Sequence, residues 1–239
     1  MKKEFLKYSI QDLTYKFDDD DNEISWVTEE ERKRFNKNLK RFPDKMQYWV
    51  ENPFTYTVNK YGYRCKSFSN KKIKKRLLTV GCSHTFGSGQ PEHEIWPRIV
   101  ADELELELYN LGVPGGGSDT VYRVISKWLK VIKPDLIIWF NAPDTLSRHE
   151  KFDNDTLYKF GPWQTDGRWH ANDRYQKFYF RKNFHAVKYL TQGIPLLRQD
   201  NWATIPQQQY ARDLDHRGQL DHSLLALEIL GKVKNNDYS

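Results

Sequence analysis

Ser83 is the first residue of this sequence whose setting could support chemistry. It lies in the segment LLTVGCSHTFGSG, where a short apolar run gives way to small and polar residues. This pattern predicts a buried strand, with Ser83 between that strand and a helix. Its hydroxyl could then face solvent, and its backbone N–H could point at a developing oxyanion. The position also fits an ordinary strand-to-helix turn, where small residues are common.

A candidate partner for Ser83 lies near the C-terminus, in the segment ARDLDHRGQLDH. A serine nucleophile needs a base to accept its proton. An imidazole base in turn needs a carboxylate that fixes its tautomer and stabilises its charged form. Asp213 and His216 are close enough in sequence for a single turn to hold both groups. Without Ser83 nearby, the segment would be a charged surface loop before a helix.

Two other predicted strand ends carry small or polar residues. In YNLGVPGGGSD, Gly115 follows a strand and would offer an unhindered backbone N–H to a ligand. In IIWFNAPDT, Asn141 stands just past the next strand, and its carboxamide could donate a hydrogen bond into the same crevice. Each also has a plain structural explanation. The glycine fits a flexible turn before a helix, and the asparagine fits a turn with local hydrogen bonds.

Alternating strands and helices from Ile73 onward would bring these residues together. The alternation predicts an α/β fold with a mostly parallel, doubly wound sheet. We expect its flavodoxin-like form, with three layers, α/β/α. Such a sheet places its site beyond the C-terminal ends of its strands. The predicted strands lie in IKKRLLTV, LELYNLGV, PDLIIWF and IPLL. The predicted helices lie in EIWPRIVADELEL, SDTVYRVISKWLKVI, NDRYQKFYFRKNFHAVKYLTQ and GQLDHSLLALEILGKVK. In the last helix, four leucines are expected to share one face: Leu220, Leu224, Leu227 and Leu230.

The first part of the chain has a different pattern. We predict that residues 1–70 form an N-terminal extension packed on an α/β domain of residues 71–239. FDDDDNEISW predicts an acidic turn or loop, and TEEERKRFNKNLKRF predicts a helix with Thr28 at its N-cap and acids in its first turn. FTYTVNKYGYRCKSF alternates like β-structure, with a turn at NKYG.

Four segments, in their order along the chain, resemble the conserved blocks of the SGNH (GDSL-like) hydrolase family. GCSHT resembles the first block, NLGVPGGG the second, and DLDH the Asp-x-x-His block, while FNAPD stands in the place of the third. YTVNKYGYR also looks like the lead-in of environmental and phage-encoded members. The resemblance spans roughly Tyr56 to Leu230, which is most of the chain.

The resemblance implies a role for each matching residue. Ser83 would be the nucleophile, His216 the general base and then acid, and Asp213 the residue that orients it. The backbone N–H groups of Ser83 and Gly115, with the side chain of Asn141, would form the oxyanion hole.

The third block departs from the family pattern. The usual Gly-x-Asn-Asp is replaced by residues 141–144, Asn-Ala-Pro-Asp. If Asp144 matches the family aspartate, Pro143 replaces the asparagine and one oxyanion donor is lost, which typically costs ~10²–10³ in turnover. If Asn141 serves instead, the loop must take another path. Arg217, where the family often has proline, is a milder departure.

The expected function is therefore a serine esterase or deacylase that works through an acyl-enzyme on a small-molecule or carbohydrate ester, with no cofactor and no metal. The alternative is a non-catalytic binding protein that kept the scaffold.

Trp163 and Trp169 are candidate substrate contacts or, equally, packing residues. Cys82, His84 and His93 match no common zinc spacing, and a fourth ligand is missing.

The composition and charge of the sequence limit the classes of binding partner to be expected. The net charge of +6 and pI of about 9.1 raise the possibility of nucleic acid. The basic residues are scattered, however, and no nucleic-acid motif is present, so we expect no such partner.

No apolar stretch approaches the ~20 residues of a membrane helix. The N-terminus has no signal-like apolar segment, and Cys65 and Cys82 are too few for a disulfide framework. A cytoplasmic location is expected, and the sequence leaves the oligomeric state open.

Overall fold

A computed structural model describes residues 3–9, 14–142, 147–153, 156–161, 173–200, 202 and 206–238. In chain order, its strands and longer helices are β1 (Lys3–Phe5), β2 (Tyr8–Ser9), β3 (Thr14–Tyr15), β4 (Asn22–Trp26), α1 (Glu29–Arg41), α2 (Pro43–Glu51), β5 (Tyr56–Val58), β6 (Arg76–Val80), α3 (Ser83–Phe86), α4 (Trp96–Glu103), β7 (Glu107–Asn110), α5 (Ser118–Ile132), β8 (Leu136–Asn141), β9 (His149–Asp153), β10 (Thr156–Phe160), α6 (Asp173–Leu190), β11 (Leu196–Asp200) and α7 (Gln219–Lys234).

The centre of the protein is a four-stranded parallel sheet with the order β11-β8-β6-β7. Counted along the chain and read from the β7 edge, these strands have the order 2-1-3-4, which is the flavodoxin-like arrangement. The predicted fold class is therefore confirmed. Because all four strands are parallel, their C-terminal ends meet at one edge, where Asn141 lies beside Asp200 in register.

Helices cover both faces of this sheet. Leu78 and Ile137 point towards α5 and α6, whereas Leu77 and Ile138 point towards α4 and α7. Successive side chains of a strand point to opposite faces, and here both faces are buried. This explains why the strands are continuous apolar runs and why the sheet becomes the middle of three layers.

The last helix buries only part of the leucine face that was predicted, because Leu230 is in the core but two of the other leucines are exposed. Leu220 and Leu227 are 48% and 65% exposed, and the buried face instead includes Leu225 and Ile229. Apolar residues lie on nearly all sides of α7, so periodicity alone does not define its inner face. Packing against α4 and the sheet decides which residues are covered.

The N-terminal region is partly as predicted. Thr28 caps α1, and its hydroxyl oxygen accepts the N–H of Glu31 at 3.1 Å. The β-like alternation is confirmed only over β5, with a turn at residues 59–62. The predicted acidic loop was wrong in its second half, because that half forms β4 and pairs antiparallel with β5. The pairing satisfies the backbone groups of both short strands.

The N-terminal region also shares a core with the rest of the chain. Ile24, Tyr56 and Val58 are buried together with Phe86, which comes from α3. The division at about residue 70 nevertheless stays a prediction.

The antiparallel hairpin of β9 and β10 was not predicted at all. Within the described ranges, none of the helices has both the length and the apolar character needed to cross a membrane.

Candidate active site

The turn that carries Ser83 is shaped by a glycine. Gly81 lies between β6 and α3 with a φ of +153°, a conformation that side chains rarely adopt. A Cβ at this position would lie 2.6 Å from the carbonyl oxygen of Phe140 in β8. Cys82 then caps α3, and Ser83 opens it with only 7% of its surface exposed. Only a glycine therefore fits at this close approach to β8, between β6 and Ser83.

Asp213 and His216 are held in a compact turn. One carboxylate oxygen of Asp213, Oδ1, accepts the backbone N–H groups of Asp215 and His216, each at 3.0 Å. Leu214 adopts a φ of +54° inside the turn, and the carbonyl of His216 accepts the N–H of Ala211 at 2.9 Å. This local hydrogen bonding is typical of an aspartate that begins a turn. It leaves the second carboxylate oxygen, Oδ2, for the imidazole.

The structure brings Ser83, His216 and Asp213 into one hydrogen-bonded row. Nε2 of His216 lies 2.9 Å from Oγ of Ser83, and Nδ1 of His216 lies 2.6 Å from Oδ2 of Asp213. With the proton on Nδ1, His216 donates to Asp213 and can accept from the serine hydroxyl. The two loops come from positions 133 residues apart in the chain.

The charges in this row support one another. Burial alone would raise the pKa of Asp213, but hydrogen bonds from His216 and the turn N–H groups, with the His216 charge, lower it to about 2. Burial opposes a charge on His216 as well. The hydrogen bond and charge of Asp213, with smaller contributions from Asp215 and Glu31, outweigh it and raise the pKa of His216. Asp213 is thus an anion that stabilises the imidazolium.

His84, the neighbour of Ser83, occupies a different environment. Its ring centroid is 5.3 Å from that of His216 and 5.4 Å from that of Trp202. Burial, together with charge on His216 and His222, holds the pKa of His84 well below its usual range. His84 is therefore a neutral ring that packs against His216 and Trp202, and it is not the base for Ser83.

Trp202 is a site neighbour that sequence analysis missed. It is 5% exposed, lies edge-on to His84 and His222, and carries the guanidinium of Arg217 over its ring at 4.8 Å. The available signal was its position just past the end of β11, the same kind of position that drew attention to Ser83. Burial, Arg64 and His216 lower the pKa of His222 to about 3, so this ring is neutral too.

The loop that carries Gly115 is hydrogen-bonded to the turn between β6 and α3. The N–H of Val113 donates to the carbonyl of Gly81 at 2.9 Å, and Gly115 has a φ of +74°. Lys159 from β10 covers this loop, with its ammonium 3.2 Å from the carbonyl oxygen of Pro114. Sequence analysis did not anticipate Lys159, because it belongs to the unpredicted hairpin.

Asn141 has a specific partner at the sheet edge. Its Nδ2 donates to Oδ1 of Asp200 at 3.0 Å, and the other carboxylate oxygen of Asp200 pairs with Arg198 at 2.6 Å. One of the two N–H bonds of the carboxamide is thereby committed to β11. Pro143, Asp144, Trp163 and Trp169 lie outside the described residues.

One group of side chains in the described part of the chain is arranged closely enough to suggest metal ligands, namely Asp213, Asp215 and His216, whose ligand atoms lie within 4.8 Å of one another. Both oxygens of Asp213 already accept hydrogen bonds from the turn and from His216. Asp215 pairs with Arg34. The donor atoms are therefore used within the protein, as expected for a hydrogen-bonded dyad.

No family model and no curated protein sequence matches this chain. Solved structures that resemble it include members of the GDSL and SGNH hydrolase families. One is a structure assigned to the G-D-S-L lipolytic family from Desulfitobacterium hafniense, with 13% identity, 66% of this chain and 98% of the other covered, and a TM-score of 0.47.

An acetyl xylan esterase from the rumen bacterium Butyrivibrio proteoclasticus shows 14% identity, with 76% of this chain and 70% of the other covered and a TM-score of 0.45. A psychrotrophic esterase from Pseudoalteromonas sp. shows 15% identity, with 67% and 97% covered and a TM-score of 0.40. Similarity this remote does not identify a reaction, so function has to be inferred from the side chains of this chain.

Proposed function

We propose that this protein is an SGNH-type serine hydrolase that cleaves a carboxylic ester through an acyl-enzyme. The observation that supports this most directly is the row formed by Ser83, His216 and Asp213, with separations of 2.9 and 2.6 Å. Such a row activates a serine hydroxyl, because the imidazole accepts its proton and the carboxylate stabilises the resulting charge.

In the first half of the reaction, Oγ of Ser83 attacks the ester carbonyl while Nε2 of His216 accepts the hydroxyl proton. The carbonyl oxygen becomes an oxyanion in the tetrahedral intermediate. Its collapse breaks the bond to the alcohol oxygen, which takes the proton from His216 and leaves. Asp213 remains ionised throughout, which suits its pKa of about 2.

In the second half, a water molecule attacks the acyl-enzyme and gives a proton to Nε2 of His216. The second tetrahedral intermediate collapses, the bond to Oγ of Ser83 breaks, and His216 returns the proton to the serine. The carboxylic acid is released. Each step uses the same imidazole nitrogen, so one geometry serves both halves.

The proposed oxyanion donors are the backbone N–H groups of Ser83 and Gly115. Among the described residues, neither N–H has a backbone acceptor, and the bond between Val113 and Gly81 keeps the two loops adjacent. Asn141 is the third proposed donor, through its side-chain carboxamide.

The proposed substrate is a small-molecule or carbohydrate ester. A panel of 4-nitrophenyl acetate, butyrate and octanoate with an acetylated oligosaccharide distinguishes simple esters from carbohydrate esters. Fast release of acetate from the oligosaccharide with slow cleavage of octanoate would assign a carbohydrate deacetylase.

Labelling with a fluorophosphonate probe tests the nucleophile. Wild type should be labelled with time, and Ser83→Ala should abolish labelling and lower ester turnover by ~10³-fold or more, because the attacking atom is gone. Ser88→Ala is the matched control, since this buried serine lies on the same loop and its hydroxyl has no hydrogen-bond partner among the described residues.

Equal labelling of wild type and Ser83→Ala would end the hydrolase proposal. The alternative, a non-catalytic binding protein on this scaffold, is favoured by one feature, the engagement of Asn141 by Asp200. That alternative predicts no labelling and no ester cleavage, together with measurable binding of an oligosaccharide by calorimetry.

A further inference from the structure

A buried polar chain from the N-terminal region joins the two loops that must meet at the active site. We call residues 83–90 the serine loop and residues 211–217 the histidine loop. The N–H of Gly89, in the serine loop, donates to the hydroxyl oxygen of Tyr56 at 2.7 Å. That hydroxyl donates to Oε1 of Glu31 at 2.7 Å. The same carboxylate oxygen accepts Nε of Arg212, in the histidine loop, at 2.9 Å.

The two loops also touch directly at this point. The N–H of Arg212 donates to the carbonyl of Gly89 at 3.1 Å. A Cβ on Gly89 would lie 3.6 Å from Oδ1 of Asp213. The polar chain therefore ends within one residue of the carboxylate that orients His216.

This polar chain of hydrogen-bonded side chains lies in the protein interior. Tyr56 is fully buried, and Glu31 and Arg212 are 6% and 4% exposed. The guanidinium of Arg212 sits between the rings of Trp26 and Phe54, at 4.1 and 4.2 Å from their centroids. Hydrogen bonds and ion pairs are stronger in such surroundings than in water, and a lost partner is correspondingly costly.

Other side chains of the N-terminal region, which do not belong to the polar chain, also donate hydrogen bonds to the two loops. Asn38 donates to the carbonyl of Asp213 at 2.7 Å. Arg64, which is fully buried, donates to the carbonyls of Gly87 and Gln90, each at 2.9 Å. Side chains of the N-terminal region therefore donate hydrogen bonds to both loops.

We propose that Tyr56 and Glu31 are positioning residues of the active site. They set the distance between the serine loop and the histidine loop, and so keep Nε2 of His216 within hydrogen-bonding reach of Ser83. Neither residue touches the reacting atoms; they act through Gly89 and Arg212. As a statement about catalysis, this proposal rests on the proposed serine-hydrolase function.

Tyr56→Phe tests the proposal with the loss of one oxygen atom. A shift of the imidazole relative to the serine should lower kcat, and the rate of fluorophosphonate labelling, by about 10–100-fold. KM should stay within about twofold. Tyr48→Phe is the matched control, because this tyrosine of the same region is half exposed, and it should behave as wild type. Circular dichroism establishes that both variants are folded.

The titration of His216, followed by NMR, is a second readout that needs no activity. The pKa of His216 reflects its contact with Asp213, so a displaced histidine loop should lower it in Tyr56→Phe and leave it unchanged in Tyr48→Phe. The charged and titratable groups that interact with His216 include Asp213, Asp215, Glu31 and the rings of His84 and His222.

Glu31→Gln is the second variant, for use if Tyr56→Phe does not fold. It keeps an acceptor for Tyr56 and Arg212 and should show the same loss of kcat to a smaller extent. Wild-type labelling with a wild-type His216 titration in folded Tyr56→Phe, or wild-type labelling in folded Glu31→Gln, would overturn the positioning role. The titration is read in Tyr56→Phe, because loss of the Glu31 charge by itself lowers the pKa of His216. If wild type itself resists the probe, the hydrolase proposal fails, and the His216 titration still decides the positioning role.

Discussion

Single residues determine the charge state of the proposed catalytic row. Asp213 and His216 share a hydrogen bond of 2.6 Å, which lowers the pKa of the aspartate and raises that of the histidine. A general base must be neutral to accept a proton. Ester hydrolysis should therefore be slow where His216 is protonated and fast where it is not.

The pH dependence of kcat/KM tests this directly. For wild type, kcat/KM should rise with pH through an apparent pKa above the ordinary histidine value of about 6.5, and then reach a plateau. Asp213→Asn removes the charge that stabilises the imidazolium and should move the rise to lower pH. It should also lower kcat by roughly 10³–10⁴-fold, because the tautomer is no longer fixed.

The Asp215→Asn variant is the control for that profile. Asp215 affects the pKa of His216 by charge alone and does not bond to its ring. A small shift of the profile with little loss of kcat is expected. An identical profile for wild type and Asp213→Asn would contradict the assignment of His216 as the base.

At the scale of elements, the turn between β6 and α3 depends on one glycine. Gly81→Ala would place a methyl group 2.6 Å from the Phe140 carbonyl oxygen at a φ of +153°. We expect it to lower the free energy of unfolding by roughly 1–3 kcal/mol and to lower kcat by moving Ser83. Chemical denaturation and ester kinetics measure the two effects.

Gly231→Ala is the matched control, because a Cβ there would meet no atom within 4 Å and the residue lies inside α7. Replacing a glycine in a helix interior should raise stability by about 0.5–1 kcal/mol. If both substitutions had the same effect, the close approach of the serine turn to β8 would not matter.

At the scale of the whole molecule, the ion pair of Glu31 and Arg212 links positions 181 residues apart. Arg212→Met leaves the buried carboxylate without its cation, which typically costs about 3–5 kcal/mol. We expect that loss in chemical denaturation, with tryptophan fluorescence and circular dichroism following one transition because both halves of the chain share this contact.

Arg32→Met provides the comparison. Arg32 pairs with Glu4 and Glu29 at the surface of α1, where solvent screens the charges, so its loss should leave the unfolding midpoint nearly unchanged. Two separate transitions in wild type would show instead that the N-terminal region unfolds independently of the sheet.

The sequence by itself determined the order of the central strands and helices, because each depends on apolar periodicity over a few residues. It also determined which residue types stand at the strand ends, including Ser83, Gly115 and Asn141, and the compact Asp213–His216 turn, whose hydrogen bonds are local. The site roles of these residues remain proposals, but the spacing that suggested them is a short-range property.

Only the tertiary structure decided the contacts between distant segments. The partner of Asn141 is Asp200 because parallel pairing aligns the ends of β8 and β11. The inner face of α7 was set by packing on α4, since its apolar residues surround the helix. Glu31, Tyr56 and Arg212 look like ordinary residues in the sequence, and they gain significance only when folding buries them together and makes their mutual hydrogen bonds obligatory.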